Sequence, residues 1–391
     1  MQAKTISGKN TAEIQSALEQ CLTDARLPDG QGYAPTLAIV FMSYTQDIEG
    51  ISALLHKHGI QVFGATSSGE FIDKNVLEGS IVVMLLDMPP SYFKLAFLDT
   101  LGQGDFETAK TLGALGRETF ANPAFIIASG WVNDIDGEAI IAGIEAGFGG
   151  EATIFGGMAG DDLTLSGPSV FTVDKQSTTG LLALIVDQDK VDVAGVATCG
   201  WKPIGISKTI TKSKGNIVYT IDEKPALDTV MKYLGLTLSD EPMNNTVFNL
   251  GAYYPLQLER ENAPAVMRTA MLGNIVDRSL VCAGNIPQGS KVRFSLPPDF
   301  DVIDTVVGEC VEVRENDLQD ADALIMFSCV SRYLSFGVMT SEEIEQVQDV
   351  WKAPMVGFFT YGEYGKSKGG KHEFHNNTCC VVTLKEKNQV K

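Results

Sequence analysis

One short pattern, used three times, constrains this chain more than any other feature. An apolar run ends in glycine, four residues follow, and a second glycine leads into a carboxylate: Gly64 to Gly69 with Glu70, and Gly357 to Gly362 with Glu363. A copy one residue shorter runs from Gly156 to Gly160 and Asp161. Upstream of each hook another apolar run reaches a serine: LAIVFMS to Ser43, FIIAS to Ser129 and ALIMFS to Ser328. About 20 to 30 residues lie between serine and first glycine, the length of a strand, a crossover helix and a second strand. The spacing predicts three related β-α-β modules, each closed by a tight glycine turn. The runs are continuously apolar, as strands covered on both faces must be.

Periodicity places helices at Thr11–Ala25, Ile48–His58, Glu107–Phe120, Gly137–Phe148, Asp222–Leu234, Asp299–Cys310 and Ser341–Val350. Ile81–Leu86 and Tyr92–Leu98 flank the turn-rich MPPS and read as an antiparallel pair. Four further runs, beginning at Ser169, Gly180, Val191 and Ile204, predict a largely antiparallel β region. Leu236–Pro264, rich in Asn, Pro, Tyr and acids, reads as irregular. The expected fold class is mixed α/β and α+β in two domains, with mixed sheets, β-α-β units and antiparallel strands. A break near residue 223 gives domains 1–222 and 223–391, in keeping with 391 residues being too many for one ordinary core.

Formal net charge is −19, which argues against nucleic acid or an anionic membrane surface as partner, since phosphate binding needs a basic face. The amino terminus MQAKTISGKN lacks an apolar signal core, and no apolar run approaches the ~20 residues that span a bilayer. Seven cysteines, an odd number and mostly within apolar runs, suit a reducing compartment, so the expectation is a soluble cytoplasmic protein.

The hooks are not P-loops: a lysine followed by Ser/Thr is needed after the second glycine, and Glu70, Asp161 or Glu363 stands there instead. These carboxylates, with Asp162, could receive hydrogen bonds from an amine-bearing ligand or could cap their own turns. His372-Glu373-Phe374-His375 spaces its histidines three apart, not the four of a zinc-protease helix, and lies between Gly369-Gly370 and Asn376-Asn377 as a loop. Cys379 and Cys380 begin a strand and so point to opposite faces, which disfavours a zinc site using both. No nucleophile elbow is present, and the sequence offers no catalytic apparatus.

Five stretches together resemble a known family. ALIMFSCVSR (Ala323–Arg332), PMVGFFTYGE (Pro354–Glu363) and FHNNT (Phe374–Thr378) are similar to the carboxyl half of the FIST sensory module. GATSSGEF (Gly64–Phe71) and IFGGMAGDD (Ile154–Asp162) are similar to its amino half. The resemblance covers roughly residues 30 to 385 in order and implies an intracellular small-ligand sensor. No signalling enzyme follows within the chain, so the expectation is action in trans on a partner such as a histidine kinase. Some stand-alone members are haem-binding nitric oxide sensors. By that resemblance haem b would be held by His375, with His372 as the alternative iron ligand, and Arg332 would clamp a propionate or a ligand carboxylate. His56 and His58, near a helix end, have an ordinary dipole explanation. Without haem, the ligand would be an amino-acid-like metabolite met by Glu70, Asp161, Asp162, Tyr361, Glu363 and Asn376. The five motifs are expected to meet in one cleft, and the glycine-rich stretch Tyr364–Asn377 to act as a hinge.

Overall fold

The computed structural model describes residues 1–24, 33–130, 136–236 and 244–387. Ala25 of the first expected helix and residues 237–243 of the expected irregular stretch lie outside them.

The three predicted modules are present as parallel strand pairs. Leu37–Ser43 pairs with Gln61–Ser67, Pro123–Ser129 with Thr153–Met158, and Ala323–Cys329 with Met355–Thr360. Helices Ile48–Lys57 and Gly137–Phe148 cross over in the first two modules. Val330–Phe336 and Met339–Trp351 do so in the third. The local signals act as expected: Asp47 and Asp136 cap the first two helices by accepting from Gly50 N–H and Ala139 N–H.

Each module is larger than the sequence pattern revealed. An antiparallel strand lies beside the first parallel strand: Ile81–Leu86, Gly180–Asp187 and Cys379–Glu386 respectively. Beyond it lies a further antiparallel strand: Ala3–Gly8, Phe93–Asp99 and Val191–Thr198. The chain thus builds one four-stranded sheet three times with the same connections. This separates strands that the sequence suggested would pair. Ile81–Leu86 joins the first sheet and Phe93–Asp99 the second, while Gly180–Asp187 and Val191–Thr198 belong to different modules. The reason is physical: Ile81–Leu86 and Gly180–Asp187 are buried on both faces and take a partner strand on each side, whereas Phe93–Asp99 and Val191–Thr198 form sheet edges.

The modules are also tied together by exchange. After each hook the chain makes a short hairpin, which extends the sheet of a neighbouring module rather than its own. The hairpin Glu70–Ile72/Asn75–Leu77 of the first module pairs with Met355–Thr360 of the third. The hairpin Val170–Phe171/Gln176–Ser177 of the second pairs with Gln61–Ser67 of the first. The hairpin Glu363–Lys366/His372–His375 of the third pairs with Thr153–Met158 of the second. The circuit closes after three steps, giving the body a cyclic, threefold-like order.

The first glycine of each hook lies where the exchange occurs, and in the first and third hooks it makes room for the incoming ring. Gly64, Gly156 and Gly357 stand opposite Phe171, Tyr364 and Phe71 of the incoming hairpins. A Cβ on Gly64 would lie 2.3 Å from the Phe171 ring, and one on Gly357 would lie 2.1 Å from that of Phe71. An aromatic ring laid over a strand glycine fills the space that a side chain would have taken. Strand alternation does the rest. Leu37, Ile39 and Phe41 face a core shared by all three sheets, together with Ile126, Phe155, Phe327 and Phe358. Ala38, Val40 and Met42 face the helices of the first module.

Between Val191–Thr198 and helix Asp301–Asn316 the third module carries an insertion, an eight-stranded antiparallel sheet with its own core. The end strands of that sheet, Val266–Arg268 and Ala270–Gly273, are separated in sequence by Thr269 alone, so the sheet curls round on itself. Two expectations need correction here. The helix expected from Asp222 begins at Ala226, because Ile217–Ile221 and Lys224–Pro225 are already paired as strands. The stretch read as irregular contains helix Asn244–Tyr253 and strand Leu256–Leu258. The fold class is mixed α/β and α+β, in two folded units: the threefold body and the inserted sheet. The break expected near residue 223 falls within the insertion, and strands on either side of it share a sheet, as Val191–Thr198 and Cys379–Glu386 do.

The exchange predicts a specific coupling. Phe171→Ala should cost about 3–5 kcal/mol of unfolding free energy, and Gly64→Ala about 1–3 kcal/mol through overpacking. In the Phe171→Ala background the Gly64→Ala cost should largely vanish in denaturant titrations. Additive costs would mean that the ring and the glycine are independent.

Candidate functional site

The three hooks meet, but they meet as a packed plug. Ser68 N–H donates to Phe359 C=O and Phe359 N–H to Gly69 C=O, joining the first hook to the third. Gly160 N–H donates to Thr66 C=O, and Met158 N–H to Gly362 C=O, joining the second hook to the other two. The carboxylates are consumed locally. Glu70 accepts from the Ser67 hydroxyl and from both N–H and O–H of Ser80. Glu363 repeats this with Thr360 and with both N–H and O–H of Thr378. Both are fully buried, and burial outweighs these hydrogen bonds, pushing each carboxyl up to about 7. Asp161 accepts from Leu165, Ser166 and Gly167 N–H and from the Tyr361 hydroxyl. Burial alone would raise its carboxyl, but these donors hold it below the usual range. Asp162 accepts from the Ser43 hydroxyl at 2.6 Å. The second hook lacks the clasp because Ala159 and Gly180 stand where the other modules carry hydroxyls.

Arg332 is likewise engaged internally. Its guanidinium forms a bidentate ion pair with Glu343, donates to Cys199 C=O at 2.8 Å and to Asn377 C=O at 2.9 Å, and lies against the Trp201 and Phe336 rings, which stack on each other. Clamping a ligand carboxylate would require breaking that buried pair. Asn376 is buried, and neither end of its amide has a hydrogen-bond partner.

The two histidines do not share a site. The stretch expected to be a loop is a strand, His372–His375, paired with Glu363–Lys366, which also removes the expected hinge. Three positions apart on a strand, the two side chains leave opposite faces. His372 places Nδ1 2.7 Å from Ile154 C=O with its ring edge-on to Phe155. His375 is 2% exposed and holds Nε2 3.2 Å from Gly365 C=O. Burial lowers both imidazoles to about 4, so both are neutral near pH 7. Cys379 and Cys380 do face opposite cores, as strand geometry requires.

His375 borders a chamber of about 240 Å³ that sequence reasoning missed. It lies where the end of Val191–Thr198, helix Asp301–Asn316, the Glu363–His375 hairpin and the inserted sheet come together. Thr198, Cys199, Trp201, Glu309 and Ser367 share its wall. Ser367 is 7% exposed, and its hydroxyl has no hydrogen-bond partner. The Thr198 hydroxyl is set toward the Glu309 carboxyl without a hydrogen bond of ordinary geometry. Burial raises the Glu309 carboxyl, and Thr198 and Lys368 pull it partly back. Burial also pushes the Cys199 thiol up to about 12, leaving it an uncharged part of the wall. No sequence signal singles out Glu309 among the many acids, or Ser367 within the polar hairpin tip.

These residues do not fit haem b. The His375 nitrogen that faces a partner already meets a backbone carbonyl, and the chamber is smaller than the about 300–1,000 Å³ of pockets that enclose drug-sized ligands. Its wall carries hydroxyls and a carboxylate where a macrocycle needs two apolar faces. Among the described residues no group of three or more His, Cys, Asp or Glu could hold a metal ion.

The buried clasps give stability a defined pH dependence. With the Glu363 carboxyl raised to about 7 when folded, its contribution is present below the ordinary Glu range and is lost as pH rises through 7. The lowered histidines act oppositely, losing stability as pH falls from 6.5 through about 4. The difference between Glu363→Gln and the parent isolates the first term. Measured by urea unfolding between pH 5 and 8, the variant should gain relative stability as pH rises, and a flat difference would contradict the buried-carboxyl account.

Residues 36–224 match the model of the FIST N domain, and residues 226–366 match that of the FIST C domain. No curated protein matches the chain. The junction between the two matched regions lies inside the inserted sheet, and the second ends within the hairpin that leads to His375. On these two consecutive matches, spanning most of its length, the chain belongs to the FIST family.

Proposed function

We propose that this protein is a sensor that binds a small polar ligand in the chamber bounded by His375, Ser367, Thr198 and Glu309. FIST domains are small-ligand sensor modules of signal transduction, and this chamber is the place in the chain best suited to that work. The observation that carries the reading is the buried Ser367 hydroxyl, which has no partner and borders a space that also contains a neutral imidazole and one carboxylate. A buried polar atom without a partner costs free energy that a bound ligand would recover.

The threefold order favours the same place. The hooks of all three modules are filled by their own side chains, whereas only the third module carries the large insertion that walls in its hairpin. Volume and lining suit a compact, amino-acid-like metabolite with an amine directed to Glu309 and hydroxyl or carbonyl groups directed to Ser367 and His375. Glu309 belongs to helix Asp301–Asn316, so ligand contact acts on the helical layer from which a partner enzyme would read it. Ligand shifts such an equilibrium only through unequal affinity for two arrangements. The partner is a separate signalling enzyme, such as a histidine kinase, in the cytoplasm. No helix among the described residues is long and apolar enough to cross a membrane.

Thermal-shift screening with amine-bearing metabolites tests the reading. A true ligand at 100 times its Kd adds about 2.7 kcal/mol. That gain should disappear in Ser367→Val and Glu309→Gln and persist in Glu70→Gln. Because Glu309 must be ionised to hold an ammonium group, affinity should fall as pH drops through a pKa above the ordinary Glu range. A stabilising ligand indifferent to both chamber variants would place the site elsewhere. Hemin titration should give no stoichiometric Soret band; a band that is lost in His375→Ala would reinstate haem as the ligand.

A further inference from the structure

The chamber is not closed. It shares Gln257 and Ala265 with an open groove of about 590 Å³ on the inserted sheet, so the two spaces adjoin. Their charges are opposed. The chamber has Glu309 as its one charged wall residue. The groove carries Arg260, Lys291 and Arg293 against Glu259 and Glu261, a locally positive mouth on a chain of net charge −19.

The basic side chains at the mouth are not equally committed. Arg260 gives Nε and Nη2 to Glu373. Arg293 Nε lies 2.6 Å from Glu259 Oε1 but outside hydrogen-bonding geometry. Lys291 gives its ammonium to the neutral Thr209 hydroxyl at 2.6 Å, not to a carboxylate. Lys291 and Arg293 alternate with Val292 on one strand, so both leave the same face, while Val292 turns into the core of the insertion.

We propose that the ligand is an extended zwitterion, a linear peptide of two or three residues, with its ammonium group at Glu309 and its carboxylate at Lys291 and Arg293. The proposal rests on the chamber being the ligand site. A single amino acid carries both charges on one carbon and cannot reach an acid in the inner chamber and a base in the outer groove together. Each extended residue adds about 3.3–3.6 Å between the two charged ends, so a short peptide, unlike a single amino acid, can place its charges in two adjoining spaces. Charge-assisted hydrogen bonds at both ends would fix direction, amino end inward.

Trp201, in the chamber wall, supplies the readout. Alanine, dialanine and trialanine are titrated into the full chain while tryptophan emission is followed, with N-acetylated and C-amidated trialanine alongside. Trialanine should bind at least about tenfold more tightly than alanine, and N-acetylation should weaken it by about tenfold or more. Amidation should weaken binding to the parent protein but make no difference in the Lys291→Gln/Arg293→Gln double variant. Alanine binding as tightly as trialanine, with dependence on Glu309 and Ser367, would overturn the peptide inference and leave the chamber reading standing. Equal binding of acid and amide by the parent protein would also overturn it. If none of these probes binds, the peptide inference falls, and the chamber reading falls with it if the metabolite screen is also empty.

Discussion

The contact on which this architecture depends is a ring laid across a glycine. Phe71 and Phe171 each leave one module and cover the bare backbone of Gly357 and Gly64 in another, and Tyr364 stands in register with Gly156. Remove either phenylalanine ring and the hairpin keeps only its backbone pairing; add a side chain to Gly357 or Gly64 and it meets the incoming ring. The contact is local, but its effect is global, because no module completes its own six-stranded sheet. The shared core behind Phe41, Phe327 and Phe358 is the consequence, with one hydrophobic centre formed from three sheets.

The same arrangement explains why conspicuous carboxylates do not form a binding site. A carboxyl group buried beneath the incoming hairpin needs donors, and Glu70 and Glu363 take theirs from matching hydroxyls that open the next strand, Ser80 and Thr378. The Ser/Thr–Glu–Ser/Thr clasp holds the turn on which the hairpin leaves. In the second module Ala159 and Gly180 make the clasp impossible, and Asp161 instead binds the backbone of the loop that follows. Structural duty leaves these groups no capacity for a ligand. The proposed chamber lies where the repetition breaks, beside the insertion.

Much of the body was legible because its strands are apolar on both faces and its hooks are glycine-marked. The identity of each hairpin's partner was not, since nothing near Phe171 in sequence names Gly64. The three serines that end the apolar runs are not all equivalent. Ser129 matches Ser328, whereas the backbone equivalents of Ser43 are Gly130 and Cys329, whose N–H groups donate to Gly180 and Thr378 C=O as Ser43 N–H does to Ser80 C=O. His372–His375 looked like a loop because Gly369-Gly370 and Asn376-Asn377 flank it, but two of those residues only turn a hairpin. The site was the least legible part. Glu309, Ser367 and Thr198 are ordinary residues that become special only when strand, helix, hairpin and insertion are brought together.

The placement of the third module has a consequence for how the protein is made. Strand Val191–Thr198 finds its partner in Cys379–Glu386, and the hairpin of the first module waits for Met355–Thr360. During synthesis at about 5–20 residues per second, those edges stay open until nearly the whole chain has left the ribosome. Loop-closure entropy is met late and over long separations, which makes for slow, high-contact-order assembly. Unpaired apolar edges in that interval are templates for association between nascent chains. The region matched by the FIST N domain, produced alone, would carry those edges permanently, so the ring of exchanged hairpins makes the two halves of this chain companions in folding.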